Sequence, residues 1–460
     1  MMRVRFAISH AMCRIAFVAA ASGVASVGLL LAATPALAQE PAARILVMLP
    51  LAPAHFRPDV DYPGGYDAST GHESRRRVAQ ELASAYGLRL VNDWPMPALG
   101  VDCYVMMVEA GASVDVKVEQ LRHDRRVESV EAMNTYRALD QGLDPALAHP
   151  VDRAFVRNSS RGDPLYSLQP AVSLWHLTDL HAIADGRDVS LAQIDSAVDR
   201  AHPDLAAQDI QVVNFVDERA PGAESHGTAV AGIISAQPDN GVGIAGIAPG
   251  VHLLALRACW QLEGSTTLCD SFTLAKSLQF AIDRKVRVIN MSLTGPSDRL
   301  LERLLDVAWE RGIVVVAAAD PDSGDGGFPA SHVHVLAVGM QGSADRAGAV
   351  EGTPADSQAW APGRDIPTTL PGARWEFVSG SSFSAAHVSA LLALMVQLAP
   401  GWKPQELVAA LAPSRSVAMN VRPRIGRIDA CSALMRAAGG RRVCREEAAS
   451  DAVSVHVSAH

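Results

Sequence analysis

The sequence lacks any long run of charges of one sign. Its formal net charge is −9 over 460 residues, and acidic and basic residues are interspersed. Such a chain offers neither the basic surface that binds nucleic acid nor the basic patch that binds an anionic membrane, so we expect neither partner. Internal repeats are also lacking. Hydrophobic residues make up 49% and charged residues 19% of the chain, as in a globular protein.

Cysteine is scarce, with six residues in the whole chain. No pair of cysteines has metal-ligand spacing with histidines nearby, so the sequence does not indicate a zinc site. Cys259 and Cys269 are close in sequence, as are Cys431 and Cys444. Both spacings suit local disulfides in an oxidising compartment. Cys13 lies within the N-terminal 38 residues, which are predicted to be removed, and Cys103 is left over.

The first 38 residues predict a signal peptide. Three arginines precede an apolar, uncharged stretch over residues 15–31, and Ala36-Leu37-Ala38 places small residues at the spacing that a signal peptidase reads. We therefore expect residues 1–38 to be removed and the protein to be exported, to the periplasm or the extracellular medium. An uncleaved membrane anchor is the alternative.

Residues 39–138 predict a small α+β domain. Strand and helix patterns alternate in an order that fits a ferredoxin-like fold, with a fourth strand around residues 88–91. Residues 139–162 are rich in Asp, Pro, Asn, Ser and Gly and predict a linker. The main predicted elements are strand 43–51, helix 73–86, strand 104–108, helix 114–125 and strand 127–131.

A larger domain is predicted over residues 163–438, followed by a tail over 439–460. Apolar strand-like runs alternate there with helical patterns, which implies an α/β fold: a doubly wound, mostly parallel sheet with helices on both faces. In such sheets functional residues gather at the carboxyl ends of the strands. The predicted strands are 189–194, 212–215, 253–256, 286–291, 313–318 and 335–338, and the predicted helices are 228–235, 272–284, 300–311 and 404–411.

Gly380-Ser381-Ser382 forms a tight turn before an apolar run that ends at Pro400. A segment that is apolar on all sides predicts a buried helix, and this one is too short to cross a bilayer, so we expect no membrane span in the mature chain. Ser382 then lies at the first helical turn, where free amides suit a nucleophile whose reaction creates an oxyanion. The alternative is a turn that only caps the helix.

Asp195 and His226 complete a catalytic set. Asp195 follows the apolar run 189–194, where a carboxylate needs a partner. His226 precedes small residues that let a helix pack closely under a site. Acyl transfer requires these three residue types, because Asp195 orients the imidazole, His226 accepts the proton of Ser382, and amides stabilise the oxyanion. Each residue taken alone also fits a structural role.

The three motifs resemble those of the subtilisin-like serine peptidases over about residues 163–438. The resemblance implies an exported serine endopeptidase that acts on polypeptides through an acyl-enzyme and requires no cofactor for its chemistry. It also implies that residues 39–138 are a propeptide, which inhibits the enzyme and is removed by self-cleavage between about Ala138 and Asp163. The matching blocks are Asp195-Ser196-Ala197, His202-Pro203-Asp204-Leu205, His226-Gly227-Thr228 and Gly380-Ser381-Ser382.

The same resemblance implies further site residues. Ser292, Leu293 and Gly295 should line one wall of the substrate cleft, where an extended peptide pairs as an added strand. Asp204 and the loop 237–241 match positions that hold a structural calcium ion in some relatives. A helix cap and an ordinary turn are the alternative interpretation there.

One departure from the family pattern bears on catalysis. The family places an asparagine that binds the oxyanion after Ala-Ala-Gly, whereas this chain reads Ala317-Ala318-Ala319-Asp320-Pro321. Proline has no donor, and a carboxyl group donates only when it is protonated, so Asp320 is the candidate oxyanion residue. The alternative is that a backbone amide near Ser382 binds the oxyanion alone. The alternative function is a catalytically weak or silent binding protein with the subtilisin fold.

Overall fold

The computed structural model describes residues 43–51, 68–139, 162–216, 222–262, 266–341, 359–412 and 425–444. The predicted signal peptide, most of the predicted linker and most of the predicted tail lie outside the described residues.

A four-stranded antiparallel sheet forms the N-terminal domain, in the order β2-β3-β1-β4. Strand β1 is buried on both faces, because Ile45 and Val47 pack with Leu82 and Leu121 of the two helices while Leu46 packs into the neighbouring larger domain. The order of elements is the one predicted for a ferredoxin-like fold. The elements are β1 (Arg44–Pro50), α1 (Ala68–Ala85), β2 (Leu88–Met96), β3 (Val101–Val108), α2 (Val114–Arg122) and β4 (Ser129–Ala132).

An eight-stranded sheet forms the centre of the larger domain, in the order β18-β15-β14-β13-β11-β6-β8-β7. All its pairs are parallel, which confirms the predicted fold class. The strands are β6 (Ser190–Asp195), β7 (Ile210–Asn214), β8 (His252–Arg257), β11 (Val288–Met291), β13 (Val314–Ala318), β14 (Val335–Gln341), β15 (Ala359–Pro362) and β18 (Gly426–Arg427).

Helices cover both faces of this sheet. Val314 and Val316 point into one apolar core and Val315 and Ala317 into the other, so the strand is apolar throughout. The described helices of this domain are α3 (Pro170–Leu174), α4 (Leu177–His181), α5 (Ser225–Ser235), α6 (Ser271–Asp283), α7 (Arg299–Glu310), α8 (Ser381–Leu398), α9 (Pro404–Leu411) and α10 (Ala430–Ala437).

Helix α8 is the buried helix predicted from its uniform apolar composition. The predicted length was wrong, because the helix has 18 residues and is long and apolar enough to cross a membrane. It is the one such helix in the described parts of the chain, and 89% of it is buried inside the protein. It packs against α5 and against the strands in the middle of the sheet. Its first turn therefore lies near the carboxyl ends of those strands.

A second, smaller sheet joins the two domains, in the order β12-β5-β10-β9. Strand β5 belongs to the chain segment that follows the N-terminal domain, and its neighbours belong to the larger domain. The sequence did not predict this strand. The strands are β5 (Thr135–Ala138), β9 (Cys259–Gln261), β10 (Thr267–Asp270) and β12 (Leu293–Thr294), and a separate hairpin is formed by β16 (Ile366–Leu370) and β17 (Arg374–Val378).

Both predicted disulfides are present in the structure. Cys259 is bonded to Cys269, which joins β9 to β10, and Cys431 is bonded to Cys444. Cys103 is buried and free.

Candidate active site

Asp195 and His226 form a buried pair at the carboxyl edge of the large sheet. Asp195 is the last residue of β6, and His226 is the second residue of α5. The Nδ1 atom of His226 lies 2.7 Å from Oδ1 of Asp195, and both side chains are at most 3% exposed. Because Nδ1 faces the carboxylate, the other ring nitrogen, Nε2, is the one that can exchange a proton with a substrate or nucleophile.

A glycine holds the helix of His226 close to the strand of Asp195. Any Cβ on Gly227 would overlap the backbone carbonyl of Ser196, so only glycine fits there. The amide of Gly227 donates to Oγ of Ser196 at 3.0 Å, and Gln193 donates to the carbonyl of Gly227 at 2.8 Å. The small residues after His226 thus fix the distance between the two elements.

Ser382 is the second residue of the buried helix α8 and contacts a peptide backbone. Its hydroxyl accepts a hydrogen bond from the amide of Leu139 at 3.1 Å and donates to the carbonyl of Ser292 at 3.0 Å. Its own amide donates to the carbonyl oxygen of Leu139 at 3.3 Å. The ring of the next residue, Phe383, lies 5.7 Å from the ring of His226, measured between centroids. One peptide carbonyl therefore lies against the amide of the predicted nucleophile.

The segment that ends at Leu139 lies in a cleft between two strands. On one side β5 pairs antiparallel with β12, which places Ala138 opposite Leu293 and Arg137 opposite Thr294. On the other side it pairs antiparallel with β10, which places Tyr136 opposite Cys269. The predicted cleft wall is thus in contact with a segment of the protein's own chain, paired as an added strand.

Tyr136 fills a pocket at the far end of this cleft. A Cβ on Gly295 would overlap its ring, so the absent side chain of Gly295 makes room for the aromatic ring. The hydroxyl of Tyr136 donates to the carbonyl of Pro296 at 3.1 Å, and the ring of Phe328 lies 6.4 Å away. Burial raises the pKa of the Tyr136 hydroxyl, so it stays a neutral donor.

Asp320, the predicted oxyanion residue, lies beside the cleft as an acceptor. Its Oδ2 accepts a hydrogen bond from Nη2 of Arg137 at 3.0 Å, and its Oδ1 accepts one from the amide of Asp322 at 3.0 Å. The donor that the structure brings to the carbonyl of Leu139 is the amide of Ser382. The oxyanion role of Asp320 remains a prediction that these contacts do not support.

The residues predicted for calcium do not fit a cation. Both carboxylate oxygens of Asp204 accept N–H donors, from Asn240 at 3.0 Å and from Ile244 and Trp375. In the loop 237–241, three backbone amides donate to the carboxylate of Asp163. N–H groups occupy the positions that a calcium ion would need, so these contacts favour the structural interpretation.

A second group of metal-type side chains lies away from the cleft. Asp306, His332 and His334 each bring one potential ligand atom within 4.8 Å of the others. However, Nδ1 of His332 accepts the amide of His334 at 3.3 Å. The proton of this ring then lies on Nε2, which faces Asp306 at 3.5 Å as a donor rather than as a ligand.

Three residues of the site were not predicted from the sequence: Tyr136, Arg137 and Leu139. Tyr136 and Arg137 precede the predicted linker, and Leu139 is its first residue. The signal that could have found them is the pair of large apolar side chains, Tyr136 and Leu139, where the N-terminal module meets the predicted linker.

The comparisons with known proteins agree with this geometry. Residues 186–425, just over half of the chain, match the model of the Subtilase family. A thermophilic serine proteinase of Bacillus sp. (strain AK1) is 39% identical over 209 residues, which are 45% of this chain and 51% of that protein. A subtilisin of Bacillus pumilus is 34% identical over 226 residues, which are 47% of this chain and 80% of that protein.

Among solved structures, fervidolysin from Fervidobacterium pennivorans, described as a keratinolytic enzyme related to subtilisin, resembles this chain in fold. The TM-score is 0.60 and the identity 20%, over 86% of this chain and 61% of that one. The chain spans about half the length of the Bacillus sp. (strain AK1) proteinase. The family match and the parallel sheet with its helices lead to one conclusion: the chain belongs to the Subtilase family, the subtilisin-like serine peptidases.

Proposed function

We propose that the protein is an exported serine endopeptidase, with Ser382 as nucleophile, His226 as general base and acid, and Asp195 as the carboxylate that orients the imidazole. One observation carries this proposal. The carbonyl of Leu139 accepts the amide of Ser382 at 3.3 Å while the hydroxyl of Ser382 contacts the same residue. A peptide bond is thus presented to a hydroxyl beside a buried Asp–His pair.

The contacts support the following mechanism. Oγ of Ser382 attacks the substrate carbonyl carbon, and Nε2 of His226 accepts the hydroxyl proton. The oxygen of the tetrahedral intermediate is stabilised by the amide of Ser382 and by the positive end of helix α8. His226 then gives the proton to the leaving amine as the C–N bond breaks. Water, deprotonated by His226, hydrolyses the acyl-enzyme and regenerates Ser382.

We further propose that residues 39–138 are a propeptide and that the first cut is made in the protein's own chain. If Leu139 is held as a substrate is held, the bond to be cleaved is the one between Leu139 and Asp140. The support is the pairing of β5 with β10 and β12, which leads the chain to Ser382. The precursor carrying Ser382→Ala should stay full-length when purified alone, whereas the parent should release a fragment that ends at Leu139.

Labelling by a fluorophosphonate tests the catalytic residues directly. This reagent reacts only with an activated serine, so the parent protein should be labelled on Ser382, and Ser382→Ala and His226→Ala should not. Ser384→Ala is the matched control, because Ser384 lies on the same helix and donates to Ala361 at 3.1 Å. Absence of labelling in the parent would contradict the peptidase and leave the silent binding protein as the function.

Export is supported by the two disulfides, which persist in oxidising compartments. Peptide mapping under non-reducing conditions should recover both bridged pairs from the native protein. Free thiols at all four positions would contradict export.

A further inference from the structure

An ion pair crosses the cleft between the segment in the substrate position and the larger domain. Nη2 of Arg137 lies 3.0 Å from Oδ2 of Asp320. The Arg137 side chain is 50% exposed, whereas that of Asp320 is 10% exposed. The carbonyl that contacts the amide of Ser382 belongs to Leu139. Counted back along the chain from there, Leu139 is the first residue and Arg137 the third. The side chain of the third residue before the bond proposed for cleavage therefore contacts a carboxylate of the larger domain.

The position of Asp320 is set by its own loop. Its amide donates to the carbonyl of Gly326 at 2.8 Å, and its carbonyl accepts the amide of Ser323 at 3.2 Å. Oδ1 is held by the amide of Asp322, which leaves Oδ2 directed into the cleft. A carboxylate fixed by the protein in this way loses little side-chain entropy when it pairs with a cation.

The same loop is acidic. Asp322 and Asp325 are exposed and lie within five residues of Asp320. The backbone of Arg137 is held on both sides, opposite Thr294 and Leu268. A bound peptide is thus fixed in register while its third side chain lies beside a negatively charged loop, which attracts a basic side chain and repels an acidic one.

We infer that Asp320 is a specificity residue that selects peptides with a basic side chain at the third position before the cleaved bond. This inference rests on the proposed peptidase function and gives it a substrate class. Asp320 acts on the substrate side chain, away from the reacting carbonyl.

The test uses the matured enzyme and three fluorogenic peptides of the series Tyr-X-Ala-Leu. X is arginine, its neutral isostere citrulline, or glutamate. An ion pair that is partly exposed should make kcat/KM about two- to fivefold higher for arginine than for citrulline at low salt. The preference should disappear at 1 M salt, where the screening length is about 3 Å. Glutamate should be the poorest of the three.

Charge variants separate Asp320 from the rest of the loop. Asp320→Asn should abolish the preference for arginine, and Asp320→Lys should reverse it in favour of glutamate. The matched control is Asp322→Asn, which removes the same charge two residues away and should keep most of the preference. Equal kcat/KM for arginine and citrulline in the parent, or an unchanged preference in Asp320→Asn, would overturn the inference.

A measurement without catalysis separates this inference from the proposed function. In the uncleaved Ser382→Ala precursor, Arg137→Gln and Asp320→Asn form a double-mutant cycle. The shifts of the unfolding midpoint in the two single variants should not sum to the shift in the double variant. Strict additivity would show that the two side chains do not interact. If no peptide is cleaved by the parent while the cycle shows coupling, the peptidase proposal fails and the cation subsite stands.

Discussion

Glu224 and Arg257 form an ion pair that links the start of helix α5, which bears His226, to strand β8, which pairs with the strand of Asp195. Oε1 of Glu224 lies 2.8 Å from Nη2 of Arg257, and the two side chains are 11% and 3% exposed. Glu224 precedes His226 by two residues, and Arg257 is the strand partner of Asp195. The Glu224 carboxylate also accepts the amide of Ala197 at 2.6 Å. The segment after Asp195 and the start of the helix that bears His226 are therefore anchored on one carboxylate.

Arg257→Met should strongly destabilise the protein. Removing one partner of a buried ion pair leaves the other charge unpaired, which lowers the free energy of unfolding by about 3–5 kcal/mol. Urea denaturation in the Ser382→Ala background measures this without self-digestion. The control is Arg187→Met, because Arg187 pairs with Asp185 at 2.7 Å on the surface. That change should cost about 0–1 kcal/mol, and equal losses in the two variants would refute the anchoring role.

Asp320→Ala should retain kcat on peptides that carry a neutral third residue. The donor that contacts the carbonyl of Leu139 is the amide of Ser382, which this change leaves in place. Loss of a true side-chain donor would lower the rate about 10²–10³-fold. Steady-state kinetics from pH 6 to pH 10 distinguish the two roles. A large loss of kcat in Asp320→Ala on these peptides would support Asp320 as the oxyanion donor.

Gly295→Ala should weaken binding of the segment that carries Tyr136. The new methyl group would overlap the Tyr136 ring, and forcing extra volume into a packed site typically costs about 1–3 kcal/mol. The added Tyr136→Phe change keeps the ring and should not relieve the clash, whereas Tyr136→Ala should. Self-cleavage rates of the three precursors measure the effect. Equal rates for Gly295→Ala and the parent would show that the pocket does not position the chain.

Docking of the N-terminal domain should weaken as the pH rises. The carboxylate of Glu131 accepts the amides of Arg299 and Leu300 at the start of α7. Burial, and next the negative charge of Asp298, raise the pKa of Glu131 from 4.5 to about 7. Glu131 therefore binds its proton more tightly when the N-terminal domain is docked than when the domain is released. This contribution to docking is complete below pH 4.5 and is lost as the pH rises through about 7.

Gel filtration of the self-cleaved protein at a series of pH values tests this prediction. The fraction of the N-terminal domain that stays bound should fall between about pH 4.5 and pH 7, and Glu131→Gln should flatten this dependence. Glu128→Gln is the control, since Glu128 pairs with Arg303 at 3.1 Å in the same interface but on its surface. A parent profile that is flat over this range would contradict the role of Glu131.

The parallel sheet could be predicted because its signals are local. Val314–Ala318 is apolar throughout since both of its faces are buried, and such runs stand out in the sequence. The predicted strand at 88–91 proved to be longer, Leu88–Met96, although it contains Pro95. It is an edge strand, where proline is tolerated because one side of the backbone has no partner in the sheet.

Strand β5 could not be predicted from local pattern. Thr135–Ala138 pairs with residues 267–270 and 293–294, which are more than a hundred positions further along the chain. No periodicity in four residues reveals such partners. For the same reason the ion pair between Arg137 and Asp320 could not be predicted. The place of Asp320 in the family motif suggested an oxyanion residue instead.

The placement of Ser382 on α8 also governs when activity can first appear during biosynthesis. Asp195 and His226 leave the ribosome long before Ser382, and α8 is at the same time the central helix of the folded core. A nascent or truncated chain that stops short of this helix has neither the proposed nucleophile nor the core packing that this helix provides. On the proposed function, an incomplete copy that stops before α8 is therefore inactive, because the proposed nucleophile is the last of the three residues to be made.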